Sequence, residues 1–312
     1  MSSQQPAKGQ AEAPDAGGTS MEDHDLRGRL LAGLPVADRR LPLAGASTAV
    51  LEGGEGQPLV LLHSSGEFAA VWMRVIPELV TTHRVVAPDL PGHGASEVGD
   101  TPLDVDRVLA WLGQLIDRTC PSPPVLVGRG LGGAIAARFA IGHGARLKGL
   151  VLVGAFGLAA FDPAPEFGLA ANRFLEEPTE DTRDDMFRYC FVDLDGLRAQ
   201  LGQRWTPLAA YALERARTPT LRTALDSLMP RFGLPAIAPA DLARITVPTS
   251  LIWGRQDLQV RLAVAQAAST HHGWPLHVID NAGDDAPMEQ PQAFLAALRR
   301  ALGTFSGAGA SV

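Results

Sequence analysis

One stretch constrains the architecture of this chain more than any other. Pro124-Val-Leu-Val-Gly128 is a short apolar run of the strand type, Arg129 to Gly133 is a glycine-dense turn, and Ala134-Ile-Ala136 opens an apolar helix. A strand that turns so tightly into a helix implies a sheet with helices packed on its faces. Gly128, Gly130 and Gly132 have the spacing of G-x-S-x-G, in which the middle residue is strained at the turn with its side chain presented above the sheet. Gly130 holds that middle position and has no side chain to present.

The rest of the chain alternates strand and helix patterns, as a mostly parallel, doubly wound α/β sheet requires. Val105, Val108, Leu109, Leu112, Leu115 and Ile116 recur at helical period, and Leu147 to Gly154 reads as a further buried strand. Val260 to His272 and Gln292 to Phe305 read as the last two helices. Between residues 157 and 244 the pattern becomes helical segments with clustered charge, such as Glu176 to Asp185. Gly128-x-Gly130-x-x-Gly133 also fits a dinucleotide fingerprint formally. The next strand, however, ends in Val153-Gly154-Ala155 without the acidic ribose partner, and no cofactor is expected.

Composition narrows the partners. A net charge of −7 argues against nucleic acid and anionic membrane surfaces. Two cysteines, Cys120 and Cys190, make no disulfide framework and suit a reducing, cytoplasmic setting. No apolar run approaches the ~20 residues of a membrane span, and no His/Cys/Asp/Glu group has metal-ligand spacing. Residues 1–25 and 306–312 are small and polar and read as a disordered N-terminal tail and a flexible C-terminal one.

Five segments, in order, resemble the α/β-hydrolase family in its capped, lid-bearing branch. They are Pro58 to Leu62 followed by His63-Ser64-Ser65-Gly66-Glu67; His83 to Leu90 with Pro91-Gly92-His93-Gly94-Ala95-Ser96; the glycine turn; Thr249 to Asp257; and Asn281 to Pro291. The likeness spans about residues 40–305 and implies a hydrolase core over 26–156 and 245–305, with 157–244 as a helical cap. Carried over position by position, the family's nucleophile falls on Gly130, its acid on Asp257, and its histidine on Asp284, or on Asp285 with a one-residue slip. The resemblance also implies backbone oxyanion donors at Leu131 and in the Ser64/Ser65 loop. His63 and His93 fall in loops where the family uses histidine structurally.

These positions imply a triad without nucleophile or base, which acyl-enzyme chemistry needs. Asp257 and Asp284 could approach and share a proton, giving acid/base catalysis; alternatively Asp284 points to solvent. Arg129 either contacts substrate or points away from the pocket. Within the cap, Arg173, Arg188, Tyr189, Trp205 and Tyr211 are candidate substrate contacts, with Trp205 and Tyr211 foremost. The expected function is therefore cofactor-independent, non-hydrolytic chemistry on a small organic, secondary-metabolite substrate: a cyclase, lyase, isomerase or carbon–carbon bond-forming enzyme. Two alternatives stay open, a non-catalytic pseudoenzyme that binds a small apolar ligand and a hydrolase whose nucleophile is displaced to Ser64 or Ser65.

Overall fold

The apolar runs become strands buried on both faces of one sheet. The computed structural model describes residues 21–99 and 102–307. Its strands are β1 (Ala37–Leu43), β2 (Ala46–Gly53), β3 (Gln57–Leu62), β4 (His83–Pro88), β5 (Glu97–Val98), β6 (Val125–Arg129), β7 (Gly149–Val153), β8 (Thr249–Gly254) and β9 (Leu276–Ile279). The order across the sheet is β1-β2-β4-β3-β6-β7-β8-β9, with β5 paired to β2. β2 is antiparallel to β1, β4 and β5, and every pair from β4 across to β9 is parallel.

The period of two along a strand sends neighbouring residues to opposite faces. Val60, Leu62, Leu126, Leu251 and Trp253 enter one buried cluster, whereas Leu59, Leu61, Val125, Val127 and Ile252 enter the other. Helices seal both faces. The first four are α1 (Met21–Leu31), α2 (Ile76–Leu79), α3 (Val105–Thr119) and α4 (Gly130–His143). Asp104 caps α3 by accepting from the Arg107 N–H, and Val108, Trp111, Leu112, Leu115 and Ile116 turn inward.

Between β7 and β8 the chain leaves the sheet for α5 (Pro165–Glu176), α6 (Glu180–Cys190), α7 (Leu194–Leu201), α8 (Trp205–Ala216), α9 (Pro219–Leu228) and α10 (Pro239–Leu242). The core closes with α11 (Leu262–His272), α12 (Ala286–Glu289) and α13 (Pro291–Gly307). The two expected loose ends, 1–25 and 306–312, lie outside the described residues except where α1 begins at Met21 and α13 finishes at Gly307. Leu30 and Leu34, on and just after α1, share a cluster with Leu197, Leu201, Leu208 and Tyr211 of the inserted helices. Arg27 of α1 donates to Asp38 at 2.7 Å and to Asp89 at 2.8 Å, which ties the same helix to the sheet. Among the described residues no helix is long and apolar enough to cross a membrane.

The sheet order reverses between β3 and β6: β4 lies on one side of this pair and β7 on the other. Open parallel sheets place ligands at such a point, beyond the carboxyl ends of the strands. There the loop after β3 (His63–Glu67) meets the turn after β6 (Arg129–Gly130).

Candidate active site

Gly130 has φ +48°, the left-handed region that an elbow between strand and helix demands and that glycine tolerates best. A Cβ on Gly130 would lie 2.7 Å from Ser64 Cβ and closer still to its Oγ. Ser64 therefore occupies the volume that any side chain at the elbow would need. Its Oγ accepts the Leu131 N–H at 3.3 Å. The Leu131 amide, expected as a free oxyanion donor, is thus engaged by the chain itself.

Arg129 ends β6, and its side chain, 2% exposed, turns into the site. Nε donates to the Asp284 carbonyl at 2.9 Å, Nη2 to Asp284 Oδ2 at 3.2 Å, and Nη1 to Glu67. Asp285 Oδ1 stands 3.7 Å from Nε. Glu67 also accepts the Ser64 N–H at 2.9 Å, so one carboxylate fixes both the guanidinium and the β3 loop. Asp257 sits after β8, where Oδ1 accepts from the Gln259 and Val260 amides at 2.9 and 2.8 Å. Its Oδ2 and the Oδ1 of Asp284 are buried without a partner.

One guanidinium does not compensate this many buried carboxylates. Burial pushes Asp257 and Asp285 up to about 7, with Arg129 opposing the rise. Burial likewise holds Asp284 well above the ordinary carboxylate range; Arg129 pulls it down, and Asp257, Asp285 and Glu67 push it up. Glu289 is raised by burial to about 7 while its carboxylate accepts from Gly283 at 2.6 Å and Val192 at 2.7 Å. Those bonds join the loop carrying Asp284 to the inserted segment. The Asp284 N–H donates to the Cys190 carbonyl at 3.3 Å, and any Cβ on Gly283 would overlap that carbonyl oxygen.

His63 and His93 are buried and neutral. His63 bonds the Ser64 carbonyl through Nδ1 at 2.7 Å and accepts the Leu90 N–H through Nε2 at 2.8 Å. Burial lowers it to about 4 and His93 to about 3. Both rings hold loops together.

These groups give stability a definite pH dependence. Asp257, Asp285 and Glu289 keep protons in the folded state that they lose near pH 4 when unfolded, so stability falls as pH rises from about 4 through about 7. The buried histidines act oppositely, losing stability as pH falls below about 6.5. Above pH 6.5 the histidine contribution fades and the three carboxylates outweigh it. The melting temperature is expected to drop by about 3–6 °C between pH 6.5 and 8, and scanning calorimetry would show it. A flat profile would mean that the carboxylates are solvated.

A cavity of about 630 Å³ opens in front of this cluster. Ser65, Glu67, Arg129, Asp284 and Asp285 form its polar end, and Phe167, Phe174, Phe187, Phe191, Leu208, Met229 and Met288 are among its apolar walls. Of the residues expected at the site, Ser65, Arg129 and Asp284 line this cavity. Ser64, Gly130, Leu131 and Asp257 lie behind its wall, all of them buried. The cavity-facing partner of Asp284 is Asp285 rather than Asp257.

Trp205 and Tyr211 do not line the cavity. Tyr211 packs edge-on against Phe68 at 4.6 Å, and Trp205 sits between Phe187 and Arg198. Their apolar bulk is spent on packing the insertion. Arg173 and Arg188 pair with Asp185 on the surface, and Tyr189 is exposed. Glu67 and Glu289 are the site residues that sequence reasoning passed over. Among the described residues no group of His, Cys, Asp and Glu could hold a metal ion.

A model of the alpha/beta hydrolase family matches residues 59–298, which include every element of this site. The chain belongs to the alpha/beta hydrolase family. It is 29% identical to a pimeloyl-[acyl-carrier protein] methyl ester esterase of Aeromonas hydrophila subsp. hydrophila, over 82% of this chain and all of that one. It is 30% identical to a 2-hydroxy-6-oxo-6-phenylhexa-2,4-dienoate hydrolase of Comamonas testosteroni, over 68% of this chain and 75% of the relative. The solved hydrolase of the latter name from Rhodococcus sp. strain RHA1 superposes with a TM-score of 0.73 at 24% identity, covering 86% of this chain and 98% of that one, and shows the alpha/beta-hydrolase fold.

These alpha/beta-hydrolase relatives are enzymes that hydrolyse, and they correct the functional expectation. Cyclase, lyase, isomerase or carbon–carbon bond-forming chemistry was expected from a triad without nucleophile or base that keeps carboxylates at Asp257 and Asp284, and kinship over most of the chain points to hydrolysis instead. The reading as a non-catalytic binder gains no support from the same matches.

Proposed function

We propose that this chain is a hydrolase of small carbonyl compounds with an apolar body, esters foremost, and that water rather than a side chain attacks the carbonyl. The observation that carries this reading is the pair of cavity-facing acids, Asp284 and Asp285, in a chain whose relatives hydrolyse. A cavity of about 630 Å³ suits a small-molecule ligand. The shielded Ser64 hydroxyl, 1% exposed, has no base bonded to it.

The two acids divide the work. Asp284, whose carboxyl burial holds well above the ordinary range, donates its proton to the carbonyl oxygen. Asp285, raised to about 7, takes a proton from the attacking water. The tetrahedral adduct then collapses: its hydroxyl returns a proton to Asp284, and the leaving alkoxide takes the proton held by Asp285. An ester and water become an acid and an alcohol, with both carboxyl groups restored. Asp257 is a positioning residue that keeps the proton on Asp284.

A panel of neutral methyl and aryl esters tests this. Turnover above buffer is expected, with Asp284→Asn and Asp285→Asn each lowering kcat by about 10²–10⁴-fold. Ser64→Ala should stay within about threefold of the parent, since a residue outside the chemistry contributes little to the barrier. No turnover of any ester, or stoichiometric fluorophosphonate labelling of Ser64, would overturn the reading.

A further inference from the structure

The polar end of the cavity is unusual in its charge. Arg129 faces it, yet each of its three nitrogens is already engaged, by the Asp284 carbonyl, the Asp284 carboxyl and Glu67. Arg74, a second cation near this end, donates to the Met288 carbonyl and to Gln200. Against these stand Glu67, Asp257, Asp284, Asp285 and Glu289, while the Cys190 thiol beside them is kept neutral by burial. Asp284 Oδ1 is the unpartnered polar atom of this group on a cavity-lining residue, and Asp284 is only 6% exposed.

We propose that this end of the cavity selects an uncharged carbonyl group and excludes a carboxylate, with Glu67 as the specificity-determining residue because its carboxylate pairs with Arg129 and offsets its charge. A neutral carbonyl oxygen can accept the proton on Asp284 without bringing charge near the acids. A carboxylate would meet a guanidinium whose charge Glu67 already offsets, and several like charges. The inference rests on the cavity being the substrate site and has a consequence for turnover. Hydrolysis of a neutral ester converts a welcome group into a repelled one, so the acid product is driven out and inhibits weakly.

Benzylacetone and hydrocinnamate test the selection, since they share one apolar body and differ in a methyl ketone against a carboxylate. Neither can be hydrolysed, so the outcome is independent of whether the esters turn over. Calorimetry on the parent protein at pH 8 is expected to favour the ketone by at least about 30-fold. Glu67→Gln, which removes the negative charge that offsets Arg129, is expected to cut the preference below about fivefold. Asp285→Asn, which removes a neighbouring charge, serves if the first variant does not fold. Equal or tighter binding of hydrocinnamate by the parent, binding of neither probe, or an undiminished preference in the folded variants would overturn the proposal.

Discussion

Arg129→Met is expected to destabilise the protein by about 3–5 kcal/mol, because removing one partner of a buried ion pair leaves uncompensated charge behind. Three carboxylates depend on this guanidinium: Glu67, Asp284 and Asp285. The loss should be larger at pH 8 than at pH 6, where the raised acids carry protons and need the cation less. Urea unfolding at the two pH values measures this directly. Arg129→Lys should recover only part of the loss, since an ammonium on a flexible stem does not reproduce three bonds directed from a planar fork. An equal loss at both pH values would mean that Arg129 acts by packing alone.

Gly130→Ser should fail to rebuild a nucleophile and should cost about 2–4 kcal/mol. The residue must adopt φ +48° and displace Ser64 from the same volume. Combined with Ser64→Gly, the exchange is expected to recover about 1–3 kcal/mol, a coupling typical of residues in direct contact. The four proteins of this double-mutant cycle can be compared by chemical denaturation. If Gly130→Ser alone costs under about 0.5 kcal/mol, Ser64 moves aside freely and does not guard the elbow.

Much of this was legible in the chain. Strand runs such as Pro58 to Leu62 and Val125 to Gly128 declare themselves, because burial on both faces leaves no polar residues in them. The elbow was readable because a turn of that shape restricts which residues can stand in it. The site's wiring was not. Glu67 and Arg129 are 62 residues apart and Arg129 and Asp284 are 155 apart, so their contact is a product of sheet order rather than local pattern. The direction of Arg129 was undecided for the same reason, as was whether Asp284 or Asp285 holds the family's histidine position. Trp205 and Tyr211 misled because an aromatic ring suits a ligand pocket and a helix interface equally well, and only the neighbours decide.

The grip of α1 on the inserted helices bears on how a substrate gets in. Leu30 and Leu34 are interleaved with Leu197, Leu201, Leu208 and Tyr211, and Arg27 is moored to Asp89 in the core. On the other flank, Glu289 staples Val192 to the loop after β9. Like a door fastened along its hinge side, the insertion has little freedom at α7 and α8. The other side is tied more lightly: cavity-lining Asn172 of α5, Asp226 of α9 and Leu234 are exposed there, and Arg222 of α9 donates to the Leu175 carbonyl of α5 at 3.0 Å. Molecules that fit the chamber would then be sorted by how far that bond lets α5 and α9 part before any acid meets them.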